Sequence, residues 1–161
     1  MKITASLSSG ILRAEGIDRD IQITCDVRNE LNGRRKPHEI VVTLPQGRPY
    51  YPRTFPIGTW RIVDVKKRSD PYRAPFFIAT DAWQLVEEWS TAEVDGKLQY
   101  DRPTGKQVKD REYGLHCSTS PTTTGCIKIM LRSDLALIID AIYRAWRKKE
   151  VVYLEVTKEE P

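Results

Sequence analysis

The chain is poor in several residue types that would each signal a particular architecture. It holds three cysteines, Cys25, Cys117 and Cys126, an odd number that leaves at least one thiol outside any disulfide in a monomer. A disulfide framework is therefore disfavoured, and a chain of 161 residues buries enough surface to fold without one. Histidine occurs twice, as His38 and His116, with no CxxC or HxxxH spacing, so the usual zinc patterns are missing. No apolar run approaches the roughly 18 residues expected of a transmembrane helix. The first ten residues carry one lysine and no apolar core, so they do not read as a signal peptide. The expectation is that the protein starts in the cytoplasm or that an export segment is absent from this form. There is no internal repeat and no low-complexity tract.

What is present describes a soluble domain. Hydrophobic residues make up 40% and charged residues 30%, the balance of an ordinary globular chain, and we expect one domain over residues 1–161. The net charge of +4 suits an anionic partner such as nucleic acid, acidic lipid or bacterial cell wall. The basic clusters Arg34 to Lys36, Lys66 to Arg68 and Arg147 to Lys149 read more simply as solvated turns and a helix end.

Short strands dominate the pattern. Ile3, Ala5 and Leu7 alternate with polar residues, as do Ile21, Ile23 and Cys25, which reads Cys25 as a buried, inert thiol. Asn32-Gly33 marks a turn and Ile40 to Leu44 a strand. Residues 45–59 hold four prolines and form a stiffened connection that brings Tyr50, Tyr51 and Phe55 near the surface. It either packs over the sheet or walls a cleft. Trp60 to Val65 alternates as a strand, Asp70-Pro71 turns, and Phe76 to Ile78 reads as buried strand. Asp81 to Trp89 fits a helical stripe and a strand face equally. Asp95-Gly96 is a hairpin signal, and Arg102 to Gly105 reads as another turn. Ser133 suits a helix N-cap, with Asp134 in the first turn. Leu135, Ile138, Ile139, Ile142, Ala145 and Trp146 then form an apolar stripe, and Val151 to Val156 a last strand. The fold class expected is mainly β with one main C-terminal α-helix.

The chemistry concentrates between Tyr113 and Met130. His116 stands ten positions before Cys126, separated by a loop of Ser, Thr, Pro and Gly, and the chain turns apolar directly after the cysteine. A strand into His116 and a buried segment out of Cys126 would bring imidazole and thiol together at one rim of a sheet, as a thiol nucleophile and its base require. Gly125 allows a tight turn and close approach of a substrate carbonyl, and the amides of Gly125 and Cys126 suit an oxyanion. Cys117 would face away from His116 on a strand, which favours Cys126 as nucleophile. A zinc site from His116, Cys117 and Cys126 is disfavoured, because adjacent His and Cys rarely chelate one ion well. A buried structural His–Cys pair remains the bland alternative.

Two segments carry a resemblance. Thr123-Thr124-Gly125-Cys126-Ile127-Lys128, following His116, resembles the signature of the L,D-transpeptidase (YkuD-like) catalytic domain, which runs His, a variable loop, Ser/Thr, a small or imidazole residue, Gly, Cys, Ile/Val, Arg. Phe55-Pro56-Ile57-Gly58-Thr59-Trp60 looks like that family's Thr-Pro-x-Gly-x-aromatic segment. The chain departs in two ways. Its His-to-Cys loop is short, as in the compact branch that includes transpeptidase-like toxins delivered by type VI secretion. Lys128 replaces arginine, keeping the charge but losing the planar fork that grips a carboxylate.

The resemblance implies a β-sandwich-like catalytic fold and cysteine chemistry on peptidoglycan tetrapeptide stems, as an L,D-carboxypeptidase or L,D-transpeptidase working through a thioester. It implies Cys126 as nucleophile, His116 as base and then acid, and Gly125 with Cys126 as oxyanion donors. Tyr113, Ser118, Thr123, Thr124 and Lys128 are the candidate substrate-binding residues. It calls for no cofactor, no metal and no nucleic acid. Its partners would be stem peptides and, for a secreted antibacterial effector, an immunity protein or secretion apparatus. Action in the periplasm or cell wall, reached by a dedicated secretion route or through phage lysis, fits the missing signal peptide. The competing class is a non-catalytic basic module that binds cell wall or another anionic polymer through basic turns and aromatic side chains.

Overall fold

A computed structural model describes residues 1–7, 10–15, 21–26, 36–42, 53–68, 73–118 and 125–158; for 21–26, 73, 74 and 118 the description is of the backbone. In chain order the elements are β1 (Lys2–Ser6), β2 (Ile11–Glu15), β3 (Ile21–Asp26), a 3-10 turn (Pro37–Glu39), β4 (Val41–Val42), β5 (Gly58–Lys67) and β6 (Arg73–Thr80). There follow β7 (Gln84–Val94), β8 (Lys97–Asp110), β9 (Gly114–Ser118), β10 (Ile127–Ile129), α1 (Arg132–Arg147) and β11 (Tyr153–Thr157). The chain is mainly β with one helix among the described residues, as its alternating pattern predicts.

Eight strands close into a barrel in the order β1-β11-β5-β6-β9-β10-β3-β2, and β4-β8-β7 form a separate three-stranded sheet. Strand β11 lies parallel to β1 (Lys2 beside Tyr153) and antiparallel to β5 (Leu154 beside Trp60). Alternation sends Ile3, Leu12, Ile78, Leu115, Ile127, Ile129 and Leu154 inward, all fully buried. Helix α1 lays Leu135, Ile138, Ile142 and Ala145 against this core. Each fully buried aliphatic side chain of this size contributes about 1.5–3 kcal/mol.

Several expectations need correcting. The helix N-cap is Leu131, without a side-chain hydrogen bond, and Ser133 is exposed inside the first turn. The helix starts directly behind β10, where the Leu135 amide already donates to the Leu131 carbonyl, so the serine arrives too late to cap. Arg102 to Gly105 does not turn: β8 runs through it for 14 residues. Pro103 falls opposite Trp89, where the β7–β8 ladder shifts register, and irregular ladder positions are where a sheet accommodates proline. Asp81 to Trp89, too short for its period to decide, resolves as a three-residue lead-in followed by strand β7. Phe55 is 2% exposed rather than near the surface, because its ring meets Tyr113 edge-on with centroids 5.4 Å apart. Asp95 and Gly96, at φ 53° and 76°, form the expected hairpin turn. Tyr50, Tyr51, Asn32-Gly33 and Asp70-Pro71 lie outside the described residues.

Candidate active site

Strands β9 and β10 lie side by side and parallel, with Leu115 beside Ile127 and His116 beside Lys128. The chain passes from one to the other through residues 119–126, far shorter than the dozen or more residues a parallel crossover usually takes. Cys126 immediately precedes β10. Alternation gives positions 116 and 128 the face opposite Leu115, Cys117 and Ile127, which belong to the core. His116 is 7% exposed and Cys126 partly exposed.

His116 has packed surroundings. Phe77 of β6 is its cross-strand neighbour, and the two rings stack with centroids 6.4 Å apart. The Arg68 guanidinium carbon lies 3.8 Å from the Phe77 ring centroid. Gly114 is what lets the phenyl ring lie there: a Cβ on it would run into the Phe77 ring and the Ile78 carbonyl oxygen. Lys128, 6% exposed, completes the row across the sheet, with Asp26 of β3 as its other register neighbour.

The Cys126 turn rests on a polar cluster. Gly125 is buried and has φ 124°, a conformation that L side chains rarely adopt. A Cβ there would come within 3.1 Å of Arg53 Cγ and 3.2 Å of Tyr113 Cε1. Arg53 Nε pairs with Asp110 Oδ2 at 3.0 Å, and both side chains are mostly buried. The Tyr113 hydroxyl donates to the same Asp110 oxygen and accepts from Gln84 Nε2 at 2.7 Å, while Gln84 also donates to the Thr54 carbonyl. Burial, and then the Asp110 hydrogen bond, push the Tyr113 phenol well above its usual range. Cys126 Sγ lies 3.9 Å from the Glu112 carbonyl oxygen, and Glu112 itself has φ 72°.

The structure thus sets His116 and Lys128 side by side on two adjoining strands, with Gly125 and Cys126 in the bend that leads into the second. Tyr113 sits beneath the turn, 1% exposed, and not on an open wall. Ser118 ends β9 opposite Arg73. Thr123 and Thr124 lie outside the described residues. Cys117 is in the core, its Sγ 3.9 Å from the Met130 carbonyl oxygen. Cys25 is in β3 beside Ile129. His38 is exposed in the 3-10 turn, with Nε2 3.9 Å from Glu39. Among the described residues no three His, Cys, Asp or Glu side chains converge as metal ligands. Arg53, Asp110, Gln84 and Glu112 were not singled out from the sequence, since isolated charges in a proline-rich connection and at a strand end carry no periodic signal.

No helix among the described residues is long and apolar enough to cross a membrane. In comparisons with protein-family models, curated proteins and solved structures, nothing matches this chain.

Proposed function

We propose that the protein is a cysteine-dependent acyl-transfer enzyme acting on peptidoglycan tetrapeptide stems, with the barrel serving as an L,D-transpeptidase-like catalytic fold. The observation that supports this reading is the parallel pairing of β9 and β10, with His116 inside β9 and Cys126 in the bend that leads directly into β10. The positive φ of Gly125 and the partial exposure of Cys126 support it.

In the proposed reaction the Cys126 sulfur attacks the carbonyl of the third stem residue, and His116 takes the thiol proton. The amides of Gly125 and Cys126 stabilise the oxyanion. As the tetrahedral species collapses, the bond to the terminal D-alanine nitrogen breaks, and His116 returns the proton to that amine. Water then hydrolyses the thioester in a carboxypeptidase, whereas a D-amino acid or a second stem takes the acyl group in a transferase. A role as a secreted antibacterial effector, with stem peptides as target and an immunity protein as partner, belongs to the same proposal. It needs neither metal nor organic cofactor.

The competing binding-module reading gains nothing from the β7–β8 ribbon. Its two strands carry Lys97, Arg102, Lys106 and Lys109 against Glu87, Glu88, Glu93, Asp101 and Asp110, four cations against five anions. A ribbon with that charge balance carries no excess of cations to attract a polyanion.

The test is mass spectrometry of purified tetrapeptide muropeptides incubated with the protein and with Cys126→Ala. Cysteine-dependent loss of D-alanine supports the carboxypeptidase. Incorporation of an added D-amino acid, or dimer formation, supports the transferase. Intact tetrapeptide, or equal turnover by Cys126→Ala, refutes both and brings the binding module forward.

A further inference from the structure

We infer that Arg53 is a positioning residue for Cys126: clamped by Asp110, it holds a fixed positive charge against the Gly125–Cys126 turn and so favours the thiolate. The inference rests on the reading of Cys126 as nucleophile.

Three observations carry it. First, the Arg53 side chain fills the space that a Cβ on Gly125 would need, with Cγ and Nε at 3.1 and 3.3 Å from that position. The cation therefore packs on the residue next to the nucleophile. Second, it cannot drift. Asp110 holds Nε at 3.0 Å, the same carboxylate is braced by the Tyr113 hydroxyl, and the guanidinium carbon lies 5.9 Å from the Tyr113 ring centroid. Third, the pair is mostly buried, with 19% and 13% of the two side chains exposed, so solvent screens its field less than at an open surface.

Other charged and titratable groups surround the turn. Asp110 ends β8, Glu112 and Tyr113 lie between β8 and β9, His116 is in β9 and Lys128 in β10. Asp110 offsets part of the arginine charge. Its carboxylate is committed to Arg53 and Tyr113, however, and Cys126 Sγ is directed to the Glu112 main-chain oxygen, an uncharged acceptor. A cation beside a cysteine stabilises the charged form of the thiol, which is the species that attacks. Arginine suits this task better than lysine, because it stays charged at any working pH.

The test needs no substrate. Alkylation of Cys126 by iodoacetamide is followed from pH 5 to 9 by peptide mapping, for the unaltered protein, Arg53→Gln and Arg53→Lys. Glutamine removes the charge but can still donate to Asp110; lysine keeps the charge. We expect Arg53→Gln to slow alkylation below pH 7 about tenfold and to displace the profile to higher pH, while Arg53→Lys stays within about threefold. Superimposable profiles for Arg53→Gln and the unaltered protein overturn the inference. Equal displacement by both variants also overturns it, since that would be a packing effect without a charge effect. If the profiles separate as expected but no form releases D-alanine from tetrapeptides, the proposed reaction falls and the role of Arg53 stands.

Discussion

Tyr113 Cε1 stands 3.2 Å from the point where a side chain on Gly125 would begin. A side chain on the glycine before Cys126 would thus press from beneath on a ring and an arginine stem, besides straining its own backbone.

Gly125→Ala should destabilise the protein by about 1–3 kcal/mol from the φ 124° backbone alone, with the displaced Arg53 and Tyr113 adding to it. Thermal unfolding measures the loss. Part of it should vanish when Arg53→Ala is already in place, because one of the two obstructing side chains is gone. An identical loss in both backgrounds would remove the contact from the explanation.

Tyr113→Phe deletes a hydrogen bond to a carboxylate and one from Gln84, and should cost about 1.5–3 kcal/mol near neutral pH. The phenol titrates well above its ordinary value in the folded protein, first through burial and then through Asp110. A raised value stabilises in full below the unfolded value, about pH 10, and is lost as pH rises beyond it, by up to about 1.4 kcal/mol per pH unit. The stability gap between the unaltered protein and Tyr113→Phe should accordingly narrow from pH 9 to pH 11. Urea unfolding at the two pH values reads it, and a constant gap contradicts the assignment.

Beyond the end of helix α1 and its C-cap Lys148, Lys149 has φ 58°, and there the Glu150 amide donates to the Ala145 carbonyl and the Lys149 amide to that of Trp146. This is a left-handed cap that glycine usually fills. Lys149→Gly should relieve the strain and stabilise the fold by about 0.5–1 kcal/mol net of the entropy glycine adds to the unfolded chain. Calorimetry should show the midpoint rising by a few degrees; a fall would mean that the lysine side chain contributes more than its backbone costs.

The parts of this fold legible in the sequence are those ruled by a simple period or a strong turn. Leu135, Ile138, Ile142 and Ala145 follow the helical period and do reach the core. Asp95-Gly96 turns as its chemistry demands. Where the ladder slips, at Glu87 to Thr91 and again between Ile62 and Asp64, period counting loses its phase. Ser133 and Pro103 misled for another reason: each has a local preference that the neighbouring strand overrode. At the candidate site, Cys117 could be assigned to the face away from His116 from alternation alone, and it lies in the core. The Arg53–Asp110–Tyr113 cluster could not be read that way. Its members come from a connection, the end of β8 and the link from β8 to β9, 57 and 3 residues apart, and only the tertiary fold unites them.

Strand β11 bridges β1 on one side and β5 on the other, pairing Lys2 with Tyr153 across most of the sequence. That placement has a kinetic cost. Until β11 docks, the barrel remains an open, curled sheet with two unsatisfied edges, and its closing contacts are of the longest range the chain offers. Loop-closure entropy must be met before those contacts contribute, so assembly should be slow and should finish at this seam. During synthesis the edges of β1 and β5 stay available to other chains until β11 has left the ribosome, which makes the seam the place where misassembly would begin.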